Sequence, residues 1–400
     1  MTHLNNREPG GPESNSSGGL ADQASPDQTS PRTIESIPAH SVSPPEQGDP
    51  LWMFLGPQGL RAGWSILLFA ALLYLFANIF GTLISSLLTG VFHIELADQT
   101  AASSIVSESA WVMALAATMA ILARIERRRF LDYNLAGPFA TTRFVGGLMS
   151  GFGALSVLVA AMAWGGWIRF GPAPQYHFQL IRHAGLWAIA FLLVALTEEG
   201  SFRCFLQFTL ARSINFWWAL AAVSCMCLWD FTQASAHGAG GVYAMGALGL
   251  FPCLYLELSK SPRRGFWQAA WAGSTMFGFI HTGNNGETWI GILAAGAIGF
   301  VFCVSVRLTG SAWWAIGCHA AWDWAETYFY GTADSGYVAG GHLLTTVPAG
   351  SALWSGGTDG PEGSILVLPV VLLLLLALFV LYGRNRAKFA PVPVAENVTG

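Results

Sequence analysis

The sequence predicts an all-α fold, a polytopic transmembrane bundle of about ten helices that follows a disordered N-terminal tail. Composition is the first reason, because 53% of the residues are hydrophobic and only 10% are charged. Soluble domains carry about 25% charged residues, so this chain lacks the charge to cover a water-exposed surface. The second reason is a series of apolar stretches, each near the roughly 20 residues that a helix needs to cross a bilayer. We therefore expect the bilayer to be the solvent of most of the chain.

Residues 1–50 form a polar tail rich in Ser, Pro, Gly, Asn and Gln, with almost no aromatic residues. Such a segment cannot bury enough apolar surface to offset the entropy of ordering, which predicts disorder. It also lacks the charged start and short apolar core of a secretory signal. We expect no cleavage, and insertion directed by the first apolar helix.

The apolar stretches that follow define the helices. They lie near 64–90, 105–123, 144–168, 184–208, 216–232, 240–258, 265–283, 289–306, 311–330 and 364–382. Several are rich in Gly and Trp, as is typical of membrane helices that pack closely and anchor at interfaces. The chain then divides into the tail 1–50, N-terminal transmembrane helices over 51–180, a core over 181–330, an external loop over 331–363, and a last transmembrane helix with a cytoplasmic tail over 364–400.

The basic residues predict the orientation, because short cytoplasmic loops retain Lys and Arg. With the tail in the cytoplasm, the following basic residues fall inside: Arg61, Arg124, Arg127, Arg128, Arg129, Arg143, Arg212, Lys260, Arg263, Arg264, Arg307, Arg384, Arg386 and Lys388. Only Arg169 and Arg182 then lie clearly outside. This predicts a multi-pass protein, in a bacterial inner membrane, with both termini cytoplasmic. The net charge of -4 and the lack of a clustered basic face exclude nucleic acid as a partner.

Glu198, Glu199 and Arg203 form the first of three polar clusters inside apolar segments. A charge at bilayer depth costs roughly 2.5–3.5 kcal/mol on insertion scales, so each such group is a functional hypothesis. Glu199 and Arg203 are four residues apart with the acid first, which predicts a same-face ion pair. Glu198 then points about 100° away without a local partner, as a candidate general base. A purely structural ion pair explains the same pattern.

The second cluster is Phe277 and His281, which share one helix face. A neutral imidazole can hold a water, bind a metal or accept a proton, and an aromatic one turn earlier can fix its ring. Taken alone, a His at a membrane helix end is more often an interfacial group.

The third cluster is His319 and Asp323, four residues apart, with Glu326 one turn further along. The acid can orient the imidazole, or both can face one reaction centre. Ala320 and Ala321 between them would admit a neighbouring backbone closely. A hydrogen bond between packed helices is an equally good explanation of this spacing.

Together, EExxxR, FxxxH and HxxxD, in that order on separate predicted helices, resemble the motif set of the CPBP family of intramembrane proteases. That family includes the type II CAAX prenyl endopeptidases and bacterial relatives linked to bacteriocin self-immunity. The resemblance covers roughly residues 184–330. Family members often carry Asn where this chain has Asp323. They also place the second motif about one helix after the first, whereas 77 residues lie between Arg203 and His281 here. This excess length predicts a two-helix insert at 216–258 in the CPBP-like core.

The resemblance implies an intramembrane endopeptidase that hydrolyses peptide bonds of membrane-associated substrates. Glu198 would activate water for attack on the scissile carbonyl, and His281 would help to position that water. His319 and Asp323 would stabilise the oxyanion or complete the polar pocket. The implied partners are a membrane-associated peptide or protein substrate and the lipid bilayer.

In this reading Glu199 and Arg203 are scaffold, and Phe277 supports the histidine. The scheme requires no cofactor. A variant of this scheme with a divalent metal such as zinc stays open. Three residues could ligate the ion, namely Glu198, His281 and His319.

Two other classes of function compete with the protease. A proton- or ion-coupled transporter also needs buried acids and Gly-rich helices, but it predicts internal repeats. Beyond the short resemblance of 214–217 to 264–267, no such repeat is visible. If the protein were a non-catalytic membrane scaffold, we would expect at least one motif residue to be missing. None of the main motif residues is missing.

Overall fold

The computed structural model describes residues 50–56, 59–97, 100–171, 177–237, 249–258, 260, 264–284 and 286–383. The all-α bundle is confirmed, with ten main helices in the described residues. They are α1 (Ala62–Ser86), α2 (Ala101–Ile125), α3 (Ala140–Trp164), α4 (His177–Glu199), α5 (Phe216–His237), α6 (Phe251–Leu258), α7 (Arg264–Ile280), α8 (Trp289–Thr309), α9 (Trp313–Trp324) and α10 (Val367–Tyr382). The predicted tail lies outside the described residues up to residue 49, as does the first part of the predicted helix 240–258.

Five of the described helical segments are long and apolar enough to cross a membrane. They are Ala62–Val91, Ala101–Ile125, Ala140–Trp164, Gln179–Ser213 and Trp289–Thr309. Phe216–Trp229 and Val367–Tyr382 are shorter apolar helices. The protein is therefore an integral membrane protein, as its composition predicts.

Among the helices whose bounds are given above, three contain or lead into a complete π-helical turn. α1 continues as Leu87–Val91, α4 passes through Gly200–Leu206 into the helix Gln207–Ser213, and α9 ends in Ala325–Tyr330. Single π turns inside helices occur frequently at functional sites. Two of these turns directly follow polar clusters of the sequence, one after Glu199 and the other two residues after Asp323.

Glycines bring α3 and α9 into backbone contact. A Cβ added to Gly147 or Gly151 on α3 would overlap backbone atoms of α9, and one added to Gly317 on α9 would overlap the backbone of α3. Small residues at such spacing let membrane helices approach closely and gain dispersion contacts. This crossing fixes the depth of α9, and with it the position of His319.

The most deeply buried of the candidate spans is α8. The Thr288 hydroxyl caps its start by accepting from the Gly291 amide, and Gly310 ends it in the left-handed conformation at φ 78°. Its central residues belong to a core shared with α3, α9 and α10. The helix also packs on α7, where a Cβ on Gly278 would lie 2.6 Å from the Ile292 carbonyl oxygen. α7 and α9, which carry the two histidine motifs, are thus held by α8.

Short strands and turns order one end of the bundle. Strand β3 (Ile168–Gly171) pairs antiparallel with β4 (Thr345–Pro348) at this end. A separate hairpin of β1 (Leu55–Gly56) and β2 (Gly59–Leu60) lies before α1, beside Glu126 at the end of α2. The β3–β4 pair ties the segment 331–363 to the end of α3. That segment also contains a one-turn helix (Ala352–Ser355) and a 3-10 turn (Pro361–Gly363). It lies against the end at which α9 finishes.

Candidate active site

The centre of the site is a buried link between α4 and α9. Glu199 is fully buried and pairs with Arg203, with Arg203 Nε 3.1 Å from Glu199 Oε2 and Nη1 3.2 Å from Oε1. The ion pair predicted from the i, i+4 spacing is therefore present. Glu199 Oε1 also accepts a hydrogen bond from His319 Nδ1 at 2.9 Å. One carboxylate thus holds both the arginine of its own helix and the histidine of α9.

Aromatic rings enclose the Arg203 guanidinium. Its central carbon lies 4.2 Å from the Phe277 ring centroid and 5.2 Å from that of Phe302. Gly299 leaves the room for it, because a Cβ there would lie 2.7 Å from Nη2. The Asn134 side chain donates to the Arg203 carbonyl at 2.7 Å. Cation–π contacts and one carboxylate therefore compensate the buried charge, which makes Arg203 a fixed support.

Glu198 lies on the accessible side of His319. Its side chain is 30% exposed, and its Oε2 is 3.9 Å from His319 Nε2. Asp323 Oδ2 is 3.4 Å from the same nitrogen. Because a carboxylate only accepts, the proton between Glu199 and His319 belongs to Nδ1. The imidazole is thus oriented by Glu199 and presents Nε2 to Glu198 and Asp323.

His281, the remaining residue of the predicted catalytic set, lies where α7 ends. Its Nδ1 is 2.7 Å from the Phe277 carbonyl oxygen, one turn back in the same helix. The Phe277 ring lies 4.9 Å from the His281 ring and 6.2 Å from the His319 ring, so it stands between the two histidines. With the proton on Nδ1, the Nε2 of His281 is an acceptor. Among the described contacts, this ring packing connects His281 to the rest of the site.

A cavity of about 370 Å³ opens between α2, α4 and the segment 331–363. It is lined by Ser103, Ser104, Ser107, Glu108, Trp187, Ala190, Phe191, Val194, Asp334 and Tyr337. Glu108 lies on α2, which packs against α4, the helix that carries Glu198. Sequence reasoning missed Glu108, although an acid within the predicted helix 105–123 was a signal of function by itself.

Five carboxylates gather where α9 meets the segment 331–363. Burial first, and then repulsion between neighbouring acids, raises the pKa of Glu287 to about 9 and that of Glu362 to about 8. Burial also raises the pKa of Asp334 and of Asp359 to about 6. The fifth is Glu326, in the π turn of α9. Sequence reasoning named Glu326 beside the third motif but missed its four acidic neighbours, because no spacing rule relates a loop to a helix end.

The described residues contain one group of three ligand-type side chains whose ligand atoms all lie within 4.8 Å of one another, namely Glu326, Asp334 and Glu362. The set predicted to bind zinc, Glu198, His281 and His319, does not form such a group. It stays a prediction.

Comparison with known proteins relates part of the chain to a described family. A family model described as Type II CAAX prenyl endopeptidase Rce1-like matches residues 253–325. The matched stretch contains the second and third motifs and begins near the end of the insert predicted at 216–258. That insert, occupied by α5 and α6 in the structure, stays a prediction. The first motif lies outside the match. No curated protein and no solved structure matches the chain.

Proposed function

We propose that this protein is an intramembrane endopeptidase in which Glu198 activates water. The family match over residues 253–325 supports the resemblance to the CPBP intramembrane proteases. The observation that carries the proposal is the contrast between the two adjacent glutamates. Glu199 is buried and fully engaged with Arg203 and His319, whereas Glu198 is 30% exposed and faces His319 Nε2. One carboxylate is thus scaffold. Its neighbour is partly exposed, and its Oε2, the oxygen that faces His319, is buried without a hydrogen-bond partner.

The reaction follows from these positions. The Glu198 carboxylate accepts a proton from water, and the resulting hydroxide attacks the carbonyl carbon of the peptide bond. The carbonyl electron pair moves onto oxygen, and the protonated Nε2 of His319 donates to that oxyanion. Glu198 then returns its proton to the amide nitrogen, the C–N bond breaks, and the amine leaves.

The other polar residues position the reactants. His281 Nε2 accepts a hydrogen bond from the attacking water, since its Nδ1 is committed to the Phe277 carbonyl. Asp323 Oδ2, 3.4 Å from His319 Nε2, completes the polar pocket around the imidazole. None of these steps passes through a metal. Zinc held by Glu198, His281 and His319 would supply Lewis-acid polarisation of the carbonyl instead.

The substrate is proposed to reach Glu198 through the cavity between α2 and α4. Its wall combines serine hydroxyls and Glu108 with the aromatic faces of Trp187 and Phe191. Such a lining suits an extended peptide, which needs hydrogen-bond partners for its backbone and apolar contacts for its side chains. We further propose a bacterial inner-membrane location with both termini cytoplasmic.

The test uses the full-length protein in detergent with a library of membrane-tethered peptides, each with and without a prenyl group. Wild type is compared with Glu198→Gln, Glu198→Ala and the matched control Glu95→Gln, an exposed acid between α1 and α2. We expect cleavage by wild type and the control, and a loss of at least about 10²-fold in both Glu198 variants at unchanged Tm. Cleavage that persists in folded Glu198 variants would reject Glu198 as the base. No cleavage of any peptide by folded wild type would favour the scaffold or transporter functions.

A further inference from the structure

We propose that Glu326, Asp334 and Glu362 bind a hard divalent cation, with Ca²⁺ as the first candidate, that fastens the segment 331–363 to α9. The three side chains come from separate places in the chain. Glu326 lies in the π turn that ends α9, Asp334 in the turn that follows, and Glu362 in the 3-10 turn Pro361–Gly363. Their carboxylate oxygens nevertheless lie within 4.8 Å of one another.

Glu326 is the residue that requires a ligand. It is fully buried, and neither Oε1 nor Oε2 has a hydrogen-bond partner. A buried carboxylate without a donor is costly, so it must either lose its charge or gain a cation. No ion pair among the described residues involves Glu326, Asp334 or Glu362. Within the described part of the chain no cationic side chain supplies a compensating charge, and we assign that role to a bound cation.

The other two carboxylates are oriented toward the same point. The Thr327 hydroxyl donates to Asp334 Oδ2 at 2.8 Å, and the Trp322 indole donates to Glu362 Oε1 at 2.8 Å. Each donor holds one oxygen and leaves the second for a ligand. Hydrogen bonds of this kind hold the side chains that bind a metal ion in the orientation that coordination requires.

The backbone of the segment 331–363 brings Glu362 to Asp334. Gly360 has φ of 100°, and a Cβ there would overlap the Ala333 carbonyl. The backbone at Gly360 therefore lies in contact with the backbone at Ala333. The neighbouring Asp359 is fully buried and accepts from the Thr288 amide and hydroxyl at 3.1 and 2.7 Å. The site is therefore built into the packing of the loop on the start of α8 and the end of α9.

The donor set selects the class of ion. All three ligands are carboxylate oxygens, which suit Ca²⁺ and Mg²⁺, whereas Zn²⁺ and Cu²⁺ prefer imidazole or thiolate. Ca²⁺ binds oxygens at about 2.3–2.6 Å, so two of its ligand oxygens can be up to about 5 Å apart. The observed limit of 4.8 Å is compatible with one shared ion. Water and the second carboxylate oxygens would complete the coordination.

The first experiment measures Tm of the full-length protein in detergent, without substrate, so that its outcome is independent of proteolysis. The protein is stripped with chelator, and Ca²⁺ or Mg²⁺ is then added. We expect wild type and the control Glu95→Gln to gain on the order of 5 °C at a hundredfold excess over Kd. Glu326→Gln removes one carboxylate ligand of the ion and, with it, the repulsion between Glu326 and the carboxylates of Asp334 and Glu362. It should therefore have a higher Tm than wild type in chelator and no response to the ion.

Two results would overturn the proposal. The first is no Tm response of wild type to either cation, which would mean that protons alone neutralise the three acids. The second is a response that survives in Glu326→Gln, Asp334→Asn and Glu362→Gln, which would place the ion elsewhere. An equal response to Mg²⁺ would support the site and identify the smaller ion as a second ligand.

Terbium luminescence locates the ion even where a variant is unstable. Tb³⁺ replaces Ca²⁺ at oxygen sites, and an indole within a few ångströms sensitises its emission. Trp322 donates directly to a proposed ligand. We expect Ca²⁺-displaceable Tb³⁺ emission from wild type, reduced several-fold in Trp322→Phe, where the Tm response to Ca²⁺ is weakened because Glu362 loses one supporting hydrogen bond. Undiminished emission in folded Trp322→Phe would contradict this location.

Discussion

Glu199→Gln should lower the stability of the folded protein, whereas Glu198→Gln should abolish activity and leave the stability nearly unchanged. Glu199 is fully buried and makes charge-assisted contacts at 3.1 and 3.2 Å to Arg203 and at 2.9 Å to His319. Replacing one partner of a buried ion pair leaves the other charge uncompensated, which costs about 3–5 kcal/mol. At about 2–4 °C per kcal/mol, Tm should fall on the order of 10 °C. Glu198 has only a 3.9 Å contact and is 30% exposed. Its amide variant should change the stability by less than about 1 kcal/mol.

The measurement is Tm in detergent together with peptide cleavage for the two single variants and for Glu199→Gln/Arg203→Met. The double variant removes both buried charges, so it should recover much of the lost stability, as replacement of buried ion pairs by apolar residues often does. It should not recover full activity, because His319 Nδ1 then donates to a neutral amide oxygen instead of a carboxylate. Equal Tm values for Glu198→Gln and Glu199→Gln would refute the division into base and scaffold.

Three further predictions concern other parts of the structure. Ser107→Trp places a large side chain at an exposed position of the cavity wall and should raise KM for peptide several-fold at unchanged Tm. The control Ser86→Trp, at an exposed position on α1, should leave KM unchanged. Equal KM values for the two variants would exclude the cavity as the entry route. Gly151→Ala places a Cβ against the α9 backbone and should destabilise by about 1–3 kcal/mol. Gly153→Ala, with open space around it, should be neutral or stabilising by up to about 1 kcal/mol, and equal Tm values would contradict the close crossing. In the folded protein the pKa of Glu287 is raised from 4.5 to about 9, so the folded state holds this proton more tightly than the unfolded state. In chelator, the free energy of unfolding should therefore fall as the pH rises from 4.5 to about 9. The slope is at most about 1.4 kcal/mol per pH unit. Glu287→Gln should flatten the profile of Tm against pH, and parallel profiles would be inconsistent with this assignment.

The sequence determined what depends on local spacing. Composition and apolar stretches of membrane-spanning length indicate the helices, and their order and number agree with the structure, because a backbone in lipid must satisfy its hydrogen bonds within each segment. The i, i+4 spacing of Glu199 and Arg203 predicts their ion pair, since residues four apart share one face of any α-helix. The first and third motifs likewise identify Glu198, Glu199 and Asp323, which lie around His319, whereas the Phe277 ring stands between His319 and His281 of the second motif.

Only the tertiary structure decided which of these groups meet. The spacing of His319 and Asp323 suggests that the acid orients the ring, but the closest partner of His319 is Glu199, 120 residues away at 2.9 Å. That contact depends on the crossing of α3 and α9 at their glycines, which sets the position of α9. The cluster of Glu326, Asp334 and Glu362 likewise joins a helix end to a loop. A linear pattern determines which face of a helix a residue lies on, but the neighbour of that face is set by packing between segments distant in the chain.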